Sequence, residues 1–455
     1  MDYRKLFEPQ TMAVIGISLS NDRHPANIVF NKNHLRYPVK VYAVNPKGGS
    51  LHRREIFDRI SDVPEKVDLA VIAVRADLAP GVLTECIEAG AGAAVVISGG
   101  FAESGRQDLQ DRMVAIAKEA DFPFVGPNCL GIFSPQHVDT FFLPSERMVY
   151  PDAGNIALVS QSGGVLVDQM INLADEGVGL SVAVSVGNKA LINEVDLLRY
   201  LSVHPKTEVI AFYLEGFEKN GGRDFVTAAR QCGKPVIALK SGRTPEGGRA
   251  VSSHTASLAG DYEVFSEVLS QYGVVEARSQ FELISFCESL SCYHETIPGK
   301  IGIVTGSGGH GALAVDICAS RGLSVPRISE KVQEEIRKGL SHGAQPIAAL
   351  GNPIDLTGSA VDDDFVVAAE YLSKTDEIDC ILLLVLPYSP GTTSDLGARL
   401  SRVYLREGKP LVAYVPHVEK YRMLIEGFEL NRIPVSPAIE GAVLMADALR
   451  RCQPC

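Results

Sequence analysis

Tryptophan is absent from the 455 residues, and the 14 tyrosines and 17 phenylalanines are dispersed rather than clustered. Without a run of aromatics, the chain offers no stacking platform for nucleic acid. Basic charge is scarce too: 43 lysines and arginines face 55 aspartates and glutamates, a formal net charge of −12. No basic stripe follows one face, which argues against a general nucleic-acid binder. No apolar run reaches the roughly 18–20 residues that a membrane helix needs, and the strongest, residues 380–386, is strand-length. Residues 1–10 lack the apolar core of a secretory signal, so the chain is expected in the cytoplasm, away from membranes. Nine cysteines, an odd number with no repeating spacing, read as buried or free thiols and not as a disulfide framework. Cys452 and Cys455 form a C-x-x-C without a second ligand pair or a neighbouring helix start. That spacing reads as accidental in a frayed tail, and no resident metal set is visible.

What is present is a rhythm of strand, turn and helix. Runs rich in Val, Ile and Ala at 12–18, 39–44, 69–74, 93–98 and 122–126 alternate with helix-like stretches such as 79–89 and 108–120. A second series of runs lies at 155–160, 180–186, 208–214, 236–239 and 274–276, and a third at 301–305, 324–328, 380–386, 411–415 and 434–436. Near-continuous apolar strands between amphipathic segments imply parallel sheets covered on both faces. The expected fold is therefore α/β, with three doubly wound parallel-sheet domains over 1–148, 149–296 and 297–455. The first is Rossmann-type. The joints are placed where Pro144, Pro151 and Gly154, and then Pro298-Gly299-Lys300, interrupt the pattern. Ligands should sit beyond the carboxyl ends of the strands.

In the first domain Gly16 ends a strand, with Ser18 just beyond it, so that backbone N–H groups could approach a phosphate. The three-glycine dinucleotide fingerprint is missing, and the second strand ends in Asn45-Pro46-Lys47 rather than in a carboxylate. NAD chemistry loses ground, while the 3′-phosphate and pyrophosphate of coenzyme A suit Lys47 better. A solvated loop lysine remains the competing reading. Two further turns, Ser98-Gly99-Gly100 and Gly126-Pro127-Asn128-Cys129, offer a serine and the amide of Asn128 to the same ligand, or simply close βα connections. In the middle domain, Ser160-Gln161-Ser162-Gly163-Gly164 passes from strand to helix. Such a start can cradle a phosphoryl group with hydroxyls and free N–H groups, or can be an ordinary N-cap. Paired glycines, Gly247 and Gly248, precede a lone histidine, His254, among small residues. Glu215 stands at a strand end, where a carboxylate could hold one imidazole nitrogen and leave the other nucleophilic.

Together these segments resemble the NDP-forming acyl-CoA synthetases, the ADP-forming acetate–CoA ligase group of the succinyl-CoA synthetase superfamily. The resemblance covers essentially the whole chain: VNPKGG (44–49), ISGGF (97–101), GPNCLG (126–131), SQSGG (160–164), VGNKA (186–190), YLEG (213–216), LKSGRTPEGGRAVSSHTASLAG (239–260), TGSGGHG (305–311) and GNPIDLTG (351–358). It implies a CoA-binding Rossmann-type domain followed by two flavodoxin-like domains. It also implies an alpha subunit that interconverts acid, CoA and ATP with acyl-CoA, ADP and phosphate. His254 would be phosphorylated, Glu215 would orient it, and Ser160, Ser162, Gly163 and Gly164 would hold the phosphoryl oxygens. Gly16, Ser18, Lys47, Ser98 and Asn128 would bind coenzyme A. Gly247 and Gly248 would act as hinges. ATP or ADP with Mg²⁺ would bind mainly on a separate ATP-grasp beta subunit, commonly as α2β2. Acetate, a branched or aryl acid, a dicarboxylate and a sulfonated acid all stay open as the acid. The rival readings are a non-catalytic CoA- or acyl-CoA-binding regulatory protein and a Rossmann oxidoreductase. Three departures stand out: Ala256 where the family has glycine, Arg75 where it has proline, and Leu191, Ile192 and Asn193 where it often has aspartates. The last of these is expected to reshape the acyl pocket. His310 and Asp355 read as parts of turns.

Overall fold

The computed structural model describes residues 1–218, 220–254 and 262–452, with backbone alone at 252–254. They form two compact bodies, Met1–Arg278 and one that starts at Ser279. Among the described residues no helix is long and apolar enough to cross a membrane.

The first body contains two seven-stranded sheets. One is built from β1 (Thr11–Ile15), β2 (Lys40–Val44), β3 (Ser50–Leu51), β4 (Arg54–Phe57), β5 (Leu69–Ile72), β6 (Ala93–Val96) and β7 (Phe124–Val125), in the order β3-β4-β2-β1-β5-β6-β7. The other uses β8 (Gly131–Ser134), β9 (Val138–Asp139), β10 (Ala153–Ser160), β11 (Leu180–Ser185), β12 (Val209–Leu214), β13 (Val236–Lys240) and β14 (Val275–Ala277), in the order β14-β13-β12-β10-β11-β8-β9. The second body has a five-stranded parallel sheet ordered β16-β15-β17-β18-β19, from β15 (Ile301–Thr305), β16 (Ile354–Asp355), β17 (Cys380–Leu384), β18 (Leu411–Tyr414) and β19 (Val435–Ser436). Strands such as LAVI (69–72), AAVV (93–96) and CILLL (380–384) are buried throughout. That follows from helices covering both faces of a parallel sheet.

Two changes of sheet or body lie ahead of the expected joints at 148/149 and 296/297. β8 and β9 leave the first sheet and add to the second: β8 pairs antiparallel with β11, and β9 with β8. The chain thus changes sheets at the GPNCLG turn, and the prolines that follow interrupt periodicity inside the second domain. At the other joint, helix Gln280–Cys292 is buried on every side and packs on helix Ile439–Arg451 within the second body. Pro298–Lys300 is then an internal turn, held by Asp379, whose carboxylate accepts from the N–H groups of Gly299 and Lys300 at 3.0 and 2.7 Å. The expected strand at 324–328 makes only one bridge, Lys300 to Ser324, because Pro326 has no N–H to extend a ladder. The β3–β4 hairpin and β16 are too short to show a period in sequence.

One buried ion pair ties the two sheets of the first body together. Lys32, on helix Pro25–Arg36, sits 2.7 Å from Asp139 on β9, with side chains 3% and 0% exposed. Asp139 also accepts from Phe141 N and from the Tyr150 hydroxyl, at 2.8 and 2.9 Å, while Asn33 brackets its backbone on both sides. Removing one partner strands a buried charge. Lys32→Met should cost about 3–5 kcal/mol in urea denaturation; a loss under about 1 kcal/mol would show that the pair does not hold the joint.

Candidate functional site

Among the parallel strands of the described residues, β1, β10 and β15 each have later strands on both sides, which marks a reversal of strand order. Crevices beyond the carboxyl ends of such strands are the natural ligand positions. The turn after β10 is the most developed. Ser162 N-caps helix Gly163–Asp175, its hydroxyl accepting from Val165 N. The Ser160 hydroxyl accepts from Ser162 N at 3.1 Å and donates to Ser162 O at 2.7 Å. Ser160 is fully buried, so its oxygen braces the turn, whereas Ser162, Gly163 and Gly164 line an open cavity of about 260 Å³. A side chain at Gly164 would meet nothing within 4 Å.

The opposite wall of that cavity comes from the first sheet, including Ile97 and Asn128. VGNKA and GPNCLG lie side by side there: Asn188 N donates to Pro127 O at 2.9 Å and Ala190 N to Gly126 O at 3.1 Å. Gly187 makes the approach possible, because a Cβ on it would lie 2.3 Å from the carbonyl oxygens of Pro127 and Asn128, and its φ is +55°. Asn188 then links three side chains. Its carbonyl accepts from Asn128 Nδ2 at 3.2 Å, and its Nδ2 donates to Gln110 Oε1 at 3.0 Å and to Glu103 Oε2. The other oxygen of Glu103 accepts from Gly100 N and Phe101 N at 2.5 and 3.2 Å. The N–H groups of Gly100 and Phe101 in the ISGGF turn are therefore satisfied internally. Burial pushes the Glu103 carboxyl up, but these hydrogen bonds outweigh it and hold the group below the usual carboxylate range. Ser98 contributes its carbonyl, which accepts from Asn128 N at 2.8 Å. Cys129 donates its S–H to Val96 O, and burial pushes the thiol far up, so it is a packing residue.

The other expected CoA residues lie at the ends of β1 and β2, outside this cavity. Gly16, with φ +102°, is fixed by packing, since a Cβ there would meet Ala73 O at 2.4 Å. The Ser18 hydroxyl caps Ser20 and Asn21, and Asn27 clamps the Ser18 backbone from both sides. Lys47 is exposed and, among the described residues, has no ion pair, which suits an anionic ligand. Arg75 is an exposed residue paired with Asp77. The departure at 191–193 lies outside the lining of this cavity. Leu191 packs against the core of the first sheet, Ile192 is buried, and Asn193 caps helix Glu194–Val203.

Glu215 follows β12 and is 6% exposed. Gln161, which residue type alone does not single out, bonds to its backbone from the β10 turn: Oε1 accepts from Glu215 N at 2.5 Å. Lys240 donates to Glu215 O at 2.8 Å, and burial pushes its ammonium down, opposed by Glu215 and reinforced by Lys189. Burial and the Glu215 carboxylate raise the Tyr213 phenol. Gly247 and Gly248 lie inside helix Pro245–His254 instead of in an open hinge. His254 ends that helix; its side chain, Thr255–Gly260 and Cys455 lie outside the described residues. In the second body the β15 turn repeats the brace: Thr305 Oγ1 accepts from Ser307 N and donates to Ser307 O, both at 3.1 Å. His310 Nδ1 lies 3.1 Å from Ser307 Oγ. Asp355 accepts from Thr357 N at 2.9 Å, capping its turn.

Residues 10–135 match the CoA binding domain family, residues 153–290 the succinyl-CoA ligase like flavodoxin domain and residues 301–385 the ligase-CoA domain. The acetate–CoA ligase (ADP-forming) I subunit alpha of Pyrococcus furiosus is 32% identical over 460 residues, covering 99% of this chain and 97% of the relative. The chain belongs to the NDP-forming acyl-CoA synthetases, in the succinyl-CoA synthetase superfamily. Within this ligase family it is of the alpha-subunit type. The Ca. Korarchaeum cryptofilum dinucleotide forming acetyl-coenzyme A synthetase 1, solved in complex with phosphate and ADP, matches with a TM-score of 0.89 and 31% identity over 99% of this chain and 96% of that one. Against the longer acetate–CoA ligase (ADP-forming) I of Archaeoglobus fulgidus, 35% identical over 387 residues, the chain spans 55% of the relative's length.

Glu103 gives the seam of this synthetase a pH signature. Both its oxygens only accept, so Glu103→Gln must turn an amide N–H toward one set of donors. The variant should lose about 1 kcal/mol at pH 7. A depressed carboxylate stabilises above its ordinary range, and that stability is lost as pH falls through the lowered value. The gap between wild type and variant in urea midpoints should therefore narrow as pH falls below the usual carboxylate range. A gap that persists unchanged in acid would place the effect elsewhere.

Proposed function

We propose that this chain is the CoA-binding, phosphohistidine-bearing alpha subunit of an ADP-forming acid–CoA ligase. It interconverts acid, CoA and ATP with acyl-CoA, ADP and phosphate. The observation that carries the reading is the shared cavity, where Asn128 from the CoA-binding domain faces Ser162, Gly163 and Gly164 at a helix start. A thioester delivered from one wall meets phosphate held by N–H groups at the other.

In the acyl-CoA-consuming direction, a phosphate oxygen attacks the thioester carbonyl. The C–S bond breaks, and CoA leaves as a thiolate that takes up a proton. The acyl phosphate then gives its phosphoryl group to one imidazole nitrogen of His254. The P–O bond to the acyl group breaks and the carboxylate departs. Imidazole is largely neutral near pH 7 and attacks without prior deprotonation. Glu215 holds the other ring nitrogen and stabilises the positive charge that develops there. Phosphohistidine finally passes its phosphoryl group to ADP. Mg²⁺ with the nucleotide supplies charge neutralisation of the phosphates when bound. That site belongs to a separate ATP-grasp beta subunit, in an α2β2 assembly. The name of one relative supports this division: the Pyrococcus furiosus protein is called a subunit alpha. The acid is a small carboxylic or sulfonated one, and the cytoplasm supplies CoA and nucleotide.

The test pairs the purified chain with a candidate ATP-grasp subunit and γ-labelled ATP. Wild type should take up acid-labile phosphate, His254→Ala none, and Glu215→Gln should label about 10²–10⁴-fold more slowly. Labelling that persists in His254→Ala would move the role to another side chain. Full CoA-dependent turnover by this chain alone would remove the need for the partner.

A further inference from the structure

The proposed cycle draws on two turns from different strands, the helix start after β10 and the Glu215–Gly216 turn after β12. We infer, resting on that reading of the site, that Gln161 is the positioning residue that fixes the distance and angle between them. β10 and β12 are neighbours in parallel register, and their last paired residues are Ser160 and Tyr213. Gln161 N still donates to Tyr213 O at 3.2 Å, and beyond that point the backbone ladder stops. The Gln161 side chain continues it. Oε1 accepts from Glu215 N at 2.5 Å and from Gly216 N at 3.1 Å. Nε2 donates to Gly216 O at 3.0 Å and reaches Glu194 Oε2 at 3.4 Å.

A carboxamide alone among side chains presents two donors and an acceptor in one rigid plane without charge. Here both its polar atoms are engaged, in a residue only 8% exposed. Lys189 secures the far side: its ammonium donates to Gly216 O at 2.7 Å and to both oxygens of Glu194, at 3.0 and 3.2 Å. Glu194 is thereby held where Gln161 can reach it. The Glu215 turn is thus hung from the phosphate-facing turn, and one side chain relates the carboxylate to the helix start. A displacement of about 1 Å at such a spacing is enough to cost about 10²-fold in rate.

Two substitutions separate positioning from folding. Gln161→Glu keeps the acceptor for the two N–H groups but turns its second oxygen toward Gly216 O and the Glu194 carboxylate. Gln161→Met keeps the volume and removes every bond. Each is assembled with the ATP-grasp partner, with the folded fraction fixed by urea denaturation, and assayed for kcat, KM for CoA and acid, and the rate of phosphoryl-enzyme formation. We expect kcat and phosphorylation rate to fall together by about 10–100-fold, with both KM values within about twofold of wild type. If the Gln161 variants are unstable, Glu194→Gln, which leaves the bonds of Gln161 to Glu215 and Gly216 in place but alters its outer bond and the Lys189 pair behind it, should show the same split at about 3–10-fold. Wild-type rates in the folded fraction of either variant, or KM rising while kcat holds, would overturn the inference and leave the proposed function standing. No label on His254 in the wild-type assembly would overturn both.

Discussion

A parallel sheet with helices on both faces has one unavoidable polarity. Every strand ends where a helix begins, so unpaired N–H groups gather along the carboxyl edge, and where strand order reverses they open into a crevice. Among the described residues each of the three sheets has such a point in its parallel part, at β1, β10 and β15. At β10 and β15 the same small device shapes the crevice: the last strand residue, Ser160 or Thr305, braces the backbone of Ser162 or Ser307 with its hydroxyl. The brace holds the first turn of the helix open without occupying its N–H groups. It also explains why the hydroxyl nearest the sheet is unavailable to a ligand while Ser162, two residues on, faces the cavity.

The first body adds a second constraint. Its cavity has walls from two sheets, so its shape depends on how closely two loops from different domains approach. Gly187 sets that distance, because its missing Cβ lets the carbonyls of Pro127 and Asn128 come within backbone contact. Lys32 and Asp139 tie the same two layers together as a buried pair. Strand β8 makes the link covalent as well, since the chain leaves the CoA-binding sheet and enters the next one without a linker. The two domains consequently share one hydrophobic cluster, running from Met12 and Val95 through Val159 to Phe212.

Much of this was legible in the sequence because strand and helix alternate with strong apolar periods. Their own apolar residues are enough to mark Ile301–Thr305 and Cys380–Leu384 as strands. What escaped were features set by partners distant in the chain. β8 and β9 carry no period of their own, and their sheet is chosen by pairing with β11. Helix Gln280–Cys292 looks like the end of the middle domain until its wholly buried surface is seen packing on Ile439–Arg451. In the site, residue type alone favoured the hydroxyls and overlooked Gln161 and Glu103, whose roles arise from carboxamide and carboxylate geometry across 54 residues of chain in one case and 85 in the other. Leu191 lies three residues beyond Asn188, which lines the cavity, yet its own side chain packs against the core of the first sheet.

The electrostatics of the cavity suit a cycle in which every intermediate must leave. Among the described residues none of its lining side chains is charged; it offers amides, hydroxyls, the helix start and apolar groups such as Leu130 and Phe142. The nearby ammonium groups are already committed, Lys189 to Glu194 and Gly216, and Lys240 to the backbone of Glu215 and Ser241. A phosphoryl group held by backbone N–H groups and neutral donors gains stabilisation without a formal ion pair, whose desolvated bonds would have to be broken at each transfer. Tight binding of one intermediate would lower its free energy below the transition states on both sides and slow the whole sequence. In the proposed reaction, phosphate, acyl phosphate and phosphohistidine succeed one another at one helix start, so even and moderate attraction for all three serves better than strong attraction for any. The carboxylates are accordingly kept to the margins, Glu103 bonded into the seam and Glu215 behind the turn, where one braces the wall and the other can act on an imidazole without repelling the phosphate itself.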